Sequence, residues 1–359
     1  MGIETPPNEA LWILILNWNG WRDTIECLKS LKTVRVSPEY QLRILVIDNG
    51  STDASLRELR SFRTNTEGPS FEILETGANL GFAGGNNAGM RKAVVEGADW
   101  VLLLNNDTVV DRSFAAKLLS AGKEDSRIGL LNPKILLFEA EAPSRRIWFI
   151  GGKIDWLRTR GGHMGYRKED RGQYDTPSVQ DSDYATGCCL LARAATIRDI
   201  GLLPEEYFVY HEDVAWSLTA RKRGWRCAVV PAAVVWHKGA ASSREHSASY
   251  IRYHVRNGLI LVRHAGNPMQ IMAAYFLTLP RALWQCVKWV VFPRKRLWAS
   301  ATLEGIRDAW LGRTGPIVES PNPKSVPQSG IPPSSKREIG GGKILNKSED
   351  PKGSSPLRV

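Results

Sequence analysis

Asp48, Asp107 and His237 each stand at or just beyond the end of an apolar run, and Glu212-Asp213 opens an amphipathic stretch behind the aromatic Tyr207-Phe208-Val209-Tyr210. Carboxylates and an imidazole at the mouth of a buried strand can take a proton or hold a divalent cation, and a cation held there can hold a diphosphate. Each has a plainer reading beside it. Asp48-Asn49-Gly50-Ser51-Thr52-Asp53 can read a base or ribose by hydrogen bonds, or make an Asx-turn in which Ser51 or Asp53 caps a helix. Asn105-Asn106-Asp107-Thr108 can anchor a cation or simply turn the chain. Acids in a first helical turn are favourable through the helix dipole alone, but two of them behind an apolar aromatic floor suit a general base at Asp213. His237, after Val234-Val235-Trp236, can give a neutral imidazole to a metal or be structural. From Asn79 to Gly89, four glycines and three asparagines gather at an expected helix start. That is more glycine than a turn needs, and it would let backbone N–H groups approach a phosphate. The spacing is not the G-x-G-x-x-G dinucleotide fingerprint.

The hydrophobic pattern gives the elements that would position these residues. Residues 11–16 and 101–104 are apolar without alternation, and 41–48 nearly so, which means strands covered on both faces in a parallel sheet. Helices are expected at 21–31, 53–62, 86–96 and 113–122. Strand and helix alternate over 11–122, which predicts a doubly wound half with its ligands beyond the carboxyl ends of the strands. Asn17, Asp48, 77–85 and 105–107 all fall there. Residues 143–176, rich in Gly and Arg, read as a hairpin-rich insertion or a mobile loop. A strand at 184–192, helices at 194–200 and 212–223 and strands at 226–230 and 234–236 complete the same sheet, and 246–265 reads as a further helix.

With 359 residues, 43% hydrophobic and 24% charged, the chain is neither disordered, collagen-like nor a disulfide scaffold. Its five cysteines make no C-x-x-C pair, which fits a reducing compartment. Residues 1–249 carry 31 Lys+Arg against 31 Asp+Glu, 250–313 carry 10 against 2, and 314–359 carry 7 against 4. A nucleic-acid binder would not segregate its charge in this way. A neutral catalytic domain followed by a basic, Trp-bearing segment points instead to docking on an anionic surface. Residues 1–9 have no basic stretch ahead of the apolar 11–16, so no signal peptide is read and a cytosolic chain is expected. The last segment, 314–359, holds 8 of the 20 prolines and is expected to be a disordered tail.

Residues 267–293 are rich in apolar side chains. Arg281 and Lys288 interrupt them, at about 2.5–3.5 kcal/mol each for the centre of a bilayer. The longest run free of Lys, Arg, Asp and Glu, 264–280, has 17 residues and is too short to span. On a helix, Arg281, Gln285 and Lys288 form one polar stripe on a surface of Leu283, Trp284, Val287 and Val291, with Arg294-Lys295-Arg296 and Trp298 following. Such a helix either lies on anionic lipid or covers the domain's own core.

Taken in order, Asn17-Trp18-Asn19-Gly20, Asp48 to Asp53, Asn79 to Gly89 and Asn105-Asn106-Asp107 resemble motifs of the family 2 glycosyltransferases. So do Thr186-Gly187-Cys188, His211-Glu212-Asp213 running on to Arg221-Lys222-Arg223-Gly224-Trp225, and Trp236-His237. The likeness is strongest to the non-processive, rhamnosyltransferase-like members that build bacterial cell-surface polysaccharides, and it spans roughly residues 10–265. It implies an α/β, Rossmann-like glycosyltransferase A-type fold: a mixed, mostly parallel sheet with helices on both faces, then amphipathic helices and the tail. The catalytic domain would cover 1–245, with a nucleotide-binding half at 10–122 and an acceptor half at 123–245. A basic, membrane-associating segment would follow at 246–313.

The resemblance further implies inverting transfer of a single sugar from a nucleotide-diphosphate-sugar, with Mg²⁺ or Mn²⁺, to a saccharide or lipid-linked saccharide. The enzyme would be peripheral on the cytoplasmic face of the cell membrane and would bind no nucleic acid. By the same resemblance Asp213 is the base, Asp48 reads the nucleobase, and Asp107 and His237 hold the metal. The donor set is Asn17, Asn19, Asp48, Asn79, Gly84, Asn86, Asn106 and Asp107, and Gly187 and Glu212 face the acceptor. Many relatives carry two carboxylates in the metal motif; here Asn105 takes the first position. Processive members carry Gln-x-x-Arg-Trp, which only Gln285-Cys286-Val287-Lys288-Trp289 answers, with Lys for Arg and 72 residues beyond Asp213. A single transfer is therefore expected, with dTDP-rhamnose as first donor and UDP-sugars next. One alternative is a sugar nucleotidyltransferase, whose Gly-rich basic loop would stand where Asn17-Trp18-Asn19-Gly20-Trp21 does. The other is a nucleotide-sugar binding module without catalysis, against which Glu212-Asp213 speaks.

Overall fold

Ile13 and Ile15 point to one side of their strand and Trp12 and Leu14 to the other, and all four are fully buried. A strand like that has to lie between two layers. The computed structural model describes residues 9–64, 68–239 and 247–317. Of the tail expected at 314–359, residues 318–359 lie outside the described residues.

The first half runs β1 (Glu9–Asn17), α1 (Trp21–Leu31), β2 (Tyr40–Asp48), α2 (Ser55–Arg63), β3 (Glu72–Glu75), α3 (Gly81–Val95), β4 (Trp100–Asn105), β5 (Thr108–Val110) and α4 (Phe114–Glu124). The second runs β6 (Ile128–Glu139), β7 (Ala142–Phe149), β8 (Gly152–Asp155), β9 (Arg160–His163), β10 (Gln180–Asp181), β11 (Cys189–Arg193), α5 (Ala194–Ile200), α6 (Glu212–Lys222) and β12 (Arg226–His237). Then come α7 (Ala248–Ala265), α8 (Pro268–Phe276), α9 (Thr278–Val291) and α10 (Arg296–Trp310).

One sheet takes the order β10-β12-β6-β11-β4-β1-β2-β3. β3, β2, β1 and β4 are mutually parallel. β11 runs against both β4 and β6, so β6 and its parallel neighbour β12 regain the direction of β1. The sheet is mixed and mostly parallel. Residues of α1, α2 and α4 share a core with Ile13 and Ile15, and residues of α3, α5 and α6 share one with Trp12 and Leu14. Asn17 stands opposite Asp48 and Leu16 opposite Asn105, so β1, β2 and β4 end at one level.

The structure departs from the sequence reading in several places. α3 begins at Gly81 rather than 86, so the glycine run lies inside the helix. The expected strand at 184–192 pairs only from Cys189. The strands expected at 226–230 and 234–236 are one strand with a bulge between Val230 and Val234. Residues 143–176 carry β7 and the β8–β9 hairpin, which is the hairpin alternative rather than the mobile loop.

Candidate active site

The carboxyl ends of β1, β2 and β4 are joined by a chain of side-chain hydrogen bonds. Asn17 Nδ2 donates to Asp48 Oδ1 (2.9 Å), Thr24 Oγ1 to Asn17 Oδ1 (2.8 Å) and Asn106 Nδ2 to Thr24 Oγ1 (3.0 Å). Asp48 is 1% exposed, and its Oδ2 accepts from the Ser51 amide (3.1 Å). In this arrangement the carboxylate organises the loop after β2. Asn19 ties the same loop by accepting from the amides of Thr52 (2.8 Å) and Asp53 (3.2 Å). Asp53 takes the Ser55 amide (2.9 Å) in an Asx-turn just ahead of α2, but the N-cap is Ala54 and no side chain caps the helix, so neither Asp53 nor Ser51 is the cap the plainer reading expected. Thr24 and the buried Asn49, which bonds Asn79 Oδ1 and the Gly81 carbonyl, were not singled out from the sequence.

The Gly/Asn run has a packing explanation. A Cβ on Gly85 would lie 2.5 Å from Leu16 Cδ1, and one on Gly89 2.7 Å from Ile47 Cδ1, so these glycines let α3 sit directly on β1 and β2. A Cβ on Gly84 would meet Leu80 Cβ at 2.8 Å. Asn86 donates back to the Phe82 carbonyl (2.9 Å), and Asn79 accepts from the Gly81 amide (2.9 Å). The Ala83 amide goes to the Phe208 carbonyl (3.2 Å). Several of the amides a phosphate would require at this helix start are therefore already used, which corrects the reading of the glycines as a phosphate cradle.

Asp107, just past β4, and His237, the last residue of β12, meet at 3.2 Å between Oδ1 and Nε2, both largely buried. Burial opposes the charge on each. It is outweighed in Asp107, which His237 holds below the usual carboxylate range. It is outweighed also in His237, which the Cys188 sulfur and Asp107 hold well above the usual imidazole range. The Trp148 ring stands edge-on to His237 at 4.6 Å, and His237 Nδ1 has no hydrogen-bond partner among the described residues. Next along, Lys238 pairs with Asp23 (2.8 Å) and with Glu26. No third His, Cys, Asp or Glu among the described residues completes a cluster. A carboxylate and an imidazole side by side fit a divalent cation that draws its remaining ligands from a bound diphosphate and water. They do not fit one caged by protein alone.

Asp213 lies in the first turn of α6. Its Oδ2 accepts from the Gly187 amide (2.9 Å), its Oδ1 from the Val214 amide (2.8 Å), and Thr186 adds a side-chain bond. Burial outweighs these bonds and raises its pKa. Glu212 is 4% exposed, its Oε2 lacks a partner among the described residues, and burial with Asp213 beside it pushes its pKa well up. At Gly187 a Cβ would lie 2.9 Å from the Phe82 ring, so the glycine makes room for Phe82 beside Asp213.

The chain enters α6 through Phe208, Tyr210 and His211 at φ of 65°, 65° and 72°, strain of about 1–3 kcal/mol per residue. Asn257 of α7 holds this segment. Its Nδ2 lies within bonding distance of the carbonyls of Tyr207 (2.9 Å), Val209 (2.8 Å) and Tyr210 (2.9 Å). His254, one turn earlier, faces His211 at 3.3 Å. Nothing in the sequence points to Asn257, because its partners are backbone carbonyls far along the chain.

Gly187 and Cys188 join the two acidic centres. The amide of one holds Asp213 and the sulfur of the other abuts His237.

The family model described as Glycosyl transferase family 2 matches residues 12–191. The chain is 27% identical over 259 residues to the N-acetylglucosaminyl-diphospho-decaprenol L-rhamnosyltransferase of Mycobacterium tuberculosis, covering 66% of this chain and 80% of that protein. Among solved structures, GalNAc-T7 with UDP, GalNAc and Mn²⁺ matches with a TM-score of 0.55 at 16% identity, over 71% of this chain and 48% of that one. TarS 1-349 of S. aureus matches with a TM-score of 0.50 at 15% identity, over 83% and 80%. These structural likenesses show the fold.

Proposed function

The chain belongs to glycosyl transferase family 2, and on that premise we propose that it moves one sugar, with inversion, from a nucleotide-diphosphate-sugar to a saccharide or lipid-linked saccharide. The proposed donor is dTDP-rhamnose, then UDP-sugars, and the proposed place is the cytoplasmic face of a membrane. The M. tuberculosis relative, a rhamnosyltransferase by name with a diphospho-decaprenol acceptor, supports that donor and acceptor. Family membership sets aside the nucleotidyltransferase alternative.

One observation carries the mechanism. Asp213, held at Gly187, and the Asp107–His237 pair, reached by Cys188, are joined by two consecutive residues. An in-line displacement needs a base on one face of the sugar and stabilisation of the departing diphosphate on the other. Asp213 takes the proton of the acceptor hydroxyl as its oxygen bonds the anomeric carbon, and its raised pKa makes it a stronger base than an ordinary aspartate. Glu212, beside Asp213 and with its pKa raised by burial, lies on the acceptor side. Asp107 and His237, the imidazole giving up the proton it carries in the ion pair, would hold Mg²⁺ or Mn²⁺. When bound, that cation neutralises charge on the diphosphate as it leaves. Asn17, Asn19, Asp48, Asn79 and Asn106 shape the donor side, with Gly84 and Asn86 behind them in α3.

Calorimetric titration of dTDP, UDP, GDP and ADP, each with and without Mn²⁺, tests the reading. Binding of one pyrimidine diphosphate, tightened by the metal, is expected. Binding of none under either condition would remove it.

A further inference from the structure

Helix α9 turns its polar side inward. Thr278 and Gln285, two turns apart, are buried, whereas Leu279, Leu283, Val290 and Val291 are 57–68% exposed. Thr278 Oγ1 donates to the Tyr275 carbonyl (2.6 Å) and accepts from Trp310 Nε1 (3.1 Å). A helix covering its own domain's core would do the reverse. On α8, which leads into α9 through Leu277, Met269 and Phe276 are 74% and 69% exposed. A patch of this kind on one face calls for an apolar partner.

The rim of the patch identifies that partner. Lys288 lies over the Trp284 ring (5.5 Å), Lys295 over Phe292 (5.1 Å) and Arg296 over Trp289 (5.1 Å), so each cation stands beside an aromatic ring. Indole and ammonium groups so paired suit the headgroup level of a bilayer. The two acids between 250 and 313 are already neutralised: Glu304 pairs with Arg252, and Asp308 with Arg252 and Arg313. The surface is thus apolar with a basic border, complementary to anionic lipid. A second copy of the chain would bring the Arg294-Lys295-Arg296 cluster against like charge. With 14 residues α9 is about 21 Å long, short of the roughly 30 Å of hydrocarbon. No helix among the described residues is long and apolar enough to cross a membrane.

We propose that the outward face of α8 and α9, with its basic rim, seats in the headgroup region of an anionic bilayer, α9 lying in the membrane plane. This rests on the proposed function only for the idea that the acceptor is carried by that bilayer. α10 packs on α9 and, through Ile306 and Ala309, on Val255 and Leu259 of α7. α7 in turn carries Asn257 to the segment before Asp213, so the lipid-seated helices and the base belong to one packed stack.

The test is flotation of the full chain with vesicles of phosphatidylcholine alone and of phosphatidylcholine with phosphatidylglycerol. Binding to the anionic vesicles is expected. R294Q/K295Q/R296Q should weaken partition about 10²-fold, at about five-fold per charge, and L283S/V290S should release the protein, while calorimetric nucleotide binding stays as in the parent. Failure of the parent to float with either vesicle overturns the proposal. So does a stable dimer in sedimentation that L283S/V290S dissociates without any vesicle binding. A chain that binds nucleotide but neither vesicle loses this inference and keeps the transferase reading. A chain that floats but binds no nucleotide keeps this inference and loses the other.

Discussion

Asp213 accepts three hydrogen bonds and is nevertheless raised, because burial outweighs them. A base works only when deprotonated, so the acid limb of kcat/KM should lie above the ordinary aspartate value of 3.8. Asp213→Asn should lower kcat by at least ~10²-fold and abolish that limb while leaving calorimetric donor affinity unchanged; an equal loss of affinity would place the residue in donor binding instead. Glu212 makes an opposite kind of statement, about stability. Its folded pKa lies well above the ordinary 4.5, so the stability it adds is fully present below that value and is lost as pH rises toward the folded pKa. Glu212→Gln has nothing to ionise. Its stability relative to the parent, followed in thermal melts, should climb as pH rises above 4.5, by up to about 1.4 kcal/mol per pH unit of linkage; a difference that stays flat with pH would show that the fold does not raise the Glu212 pKa. Asp107 and His237 stood out in the sequence at the ends of apolar runs, and Asp213 behind an aromatic stretch at a helix start, because such types are costly to bury without a reason. Thr24 and Asn257 were not, since ordinary polar residues acquire their partners only in three dimensions.

β1, β2 and β4 were readable because burial on both faces leaves an unbroken apolar run. β6 was not. Asn132-Pro133-Lys134 in its middle reads as a turn, but each residue is accommodated: Asn132 donates to the Thr186 carbonyl (2.9 Å) and Lys134 pairs with Asp170 (2.7 Å) and Asp175 (2.8 Å). Pro133 faces the bulge of β12, a place that asks for no donor. The start of α3 was misplaced for a related reason, because glycine is scored against a helix until the sheet that needs it close is present. The coupling of α7 to α6 was likewise hidden. Asn257→Ala removes the donor from three carbonyls and frees a strained segment, so a stability loss of about 2–4 kcal/mol is expected. Because the segment leads straight into α6, kcat should fall roughly 10- to 100-fold with an altered acid limb, while KM for the donor holds. A variant that is destabilised but keeps parental kcat would leave Asn257 with folding alone.

Across the whole molecule the proposed chemistry divides between two sets of residues: the ends of β1, β2 and β4 carry the proposed donor side, and the segment before β11, the start of α6 and the end of β12 carry the proposed base and His237. Asp107 leaves the first set and pairs with the second, so the pair can close only when both halves of the sheet are folded. A ligand held across it should therefore stabilise the chain as one unit, by RT ln(1 + [L]/Kd), or about 2.7 kcal/mol at a hundredfold excess over Kd. In thermal melts this predicts a rise of several degrees with a pyrimidine diphosphate and Mn²⁺ together, less with the nucleotide alone, and loss of the metal's share on adding EDTA. Asp107→Asn should lose the metal's share and keep the nucleotide's, whereas Asp213→Asn should keep both, because its carboxylate faces the acceptor. A melt in which Asp107→Asn retains the full metal increment would put the cation elsewhere and leave the Asp107–His237 pair as a structural tie between the halves.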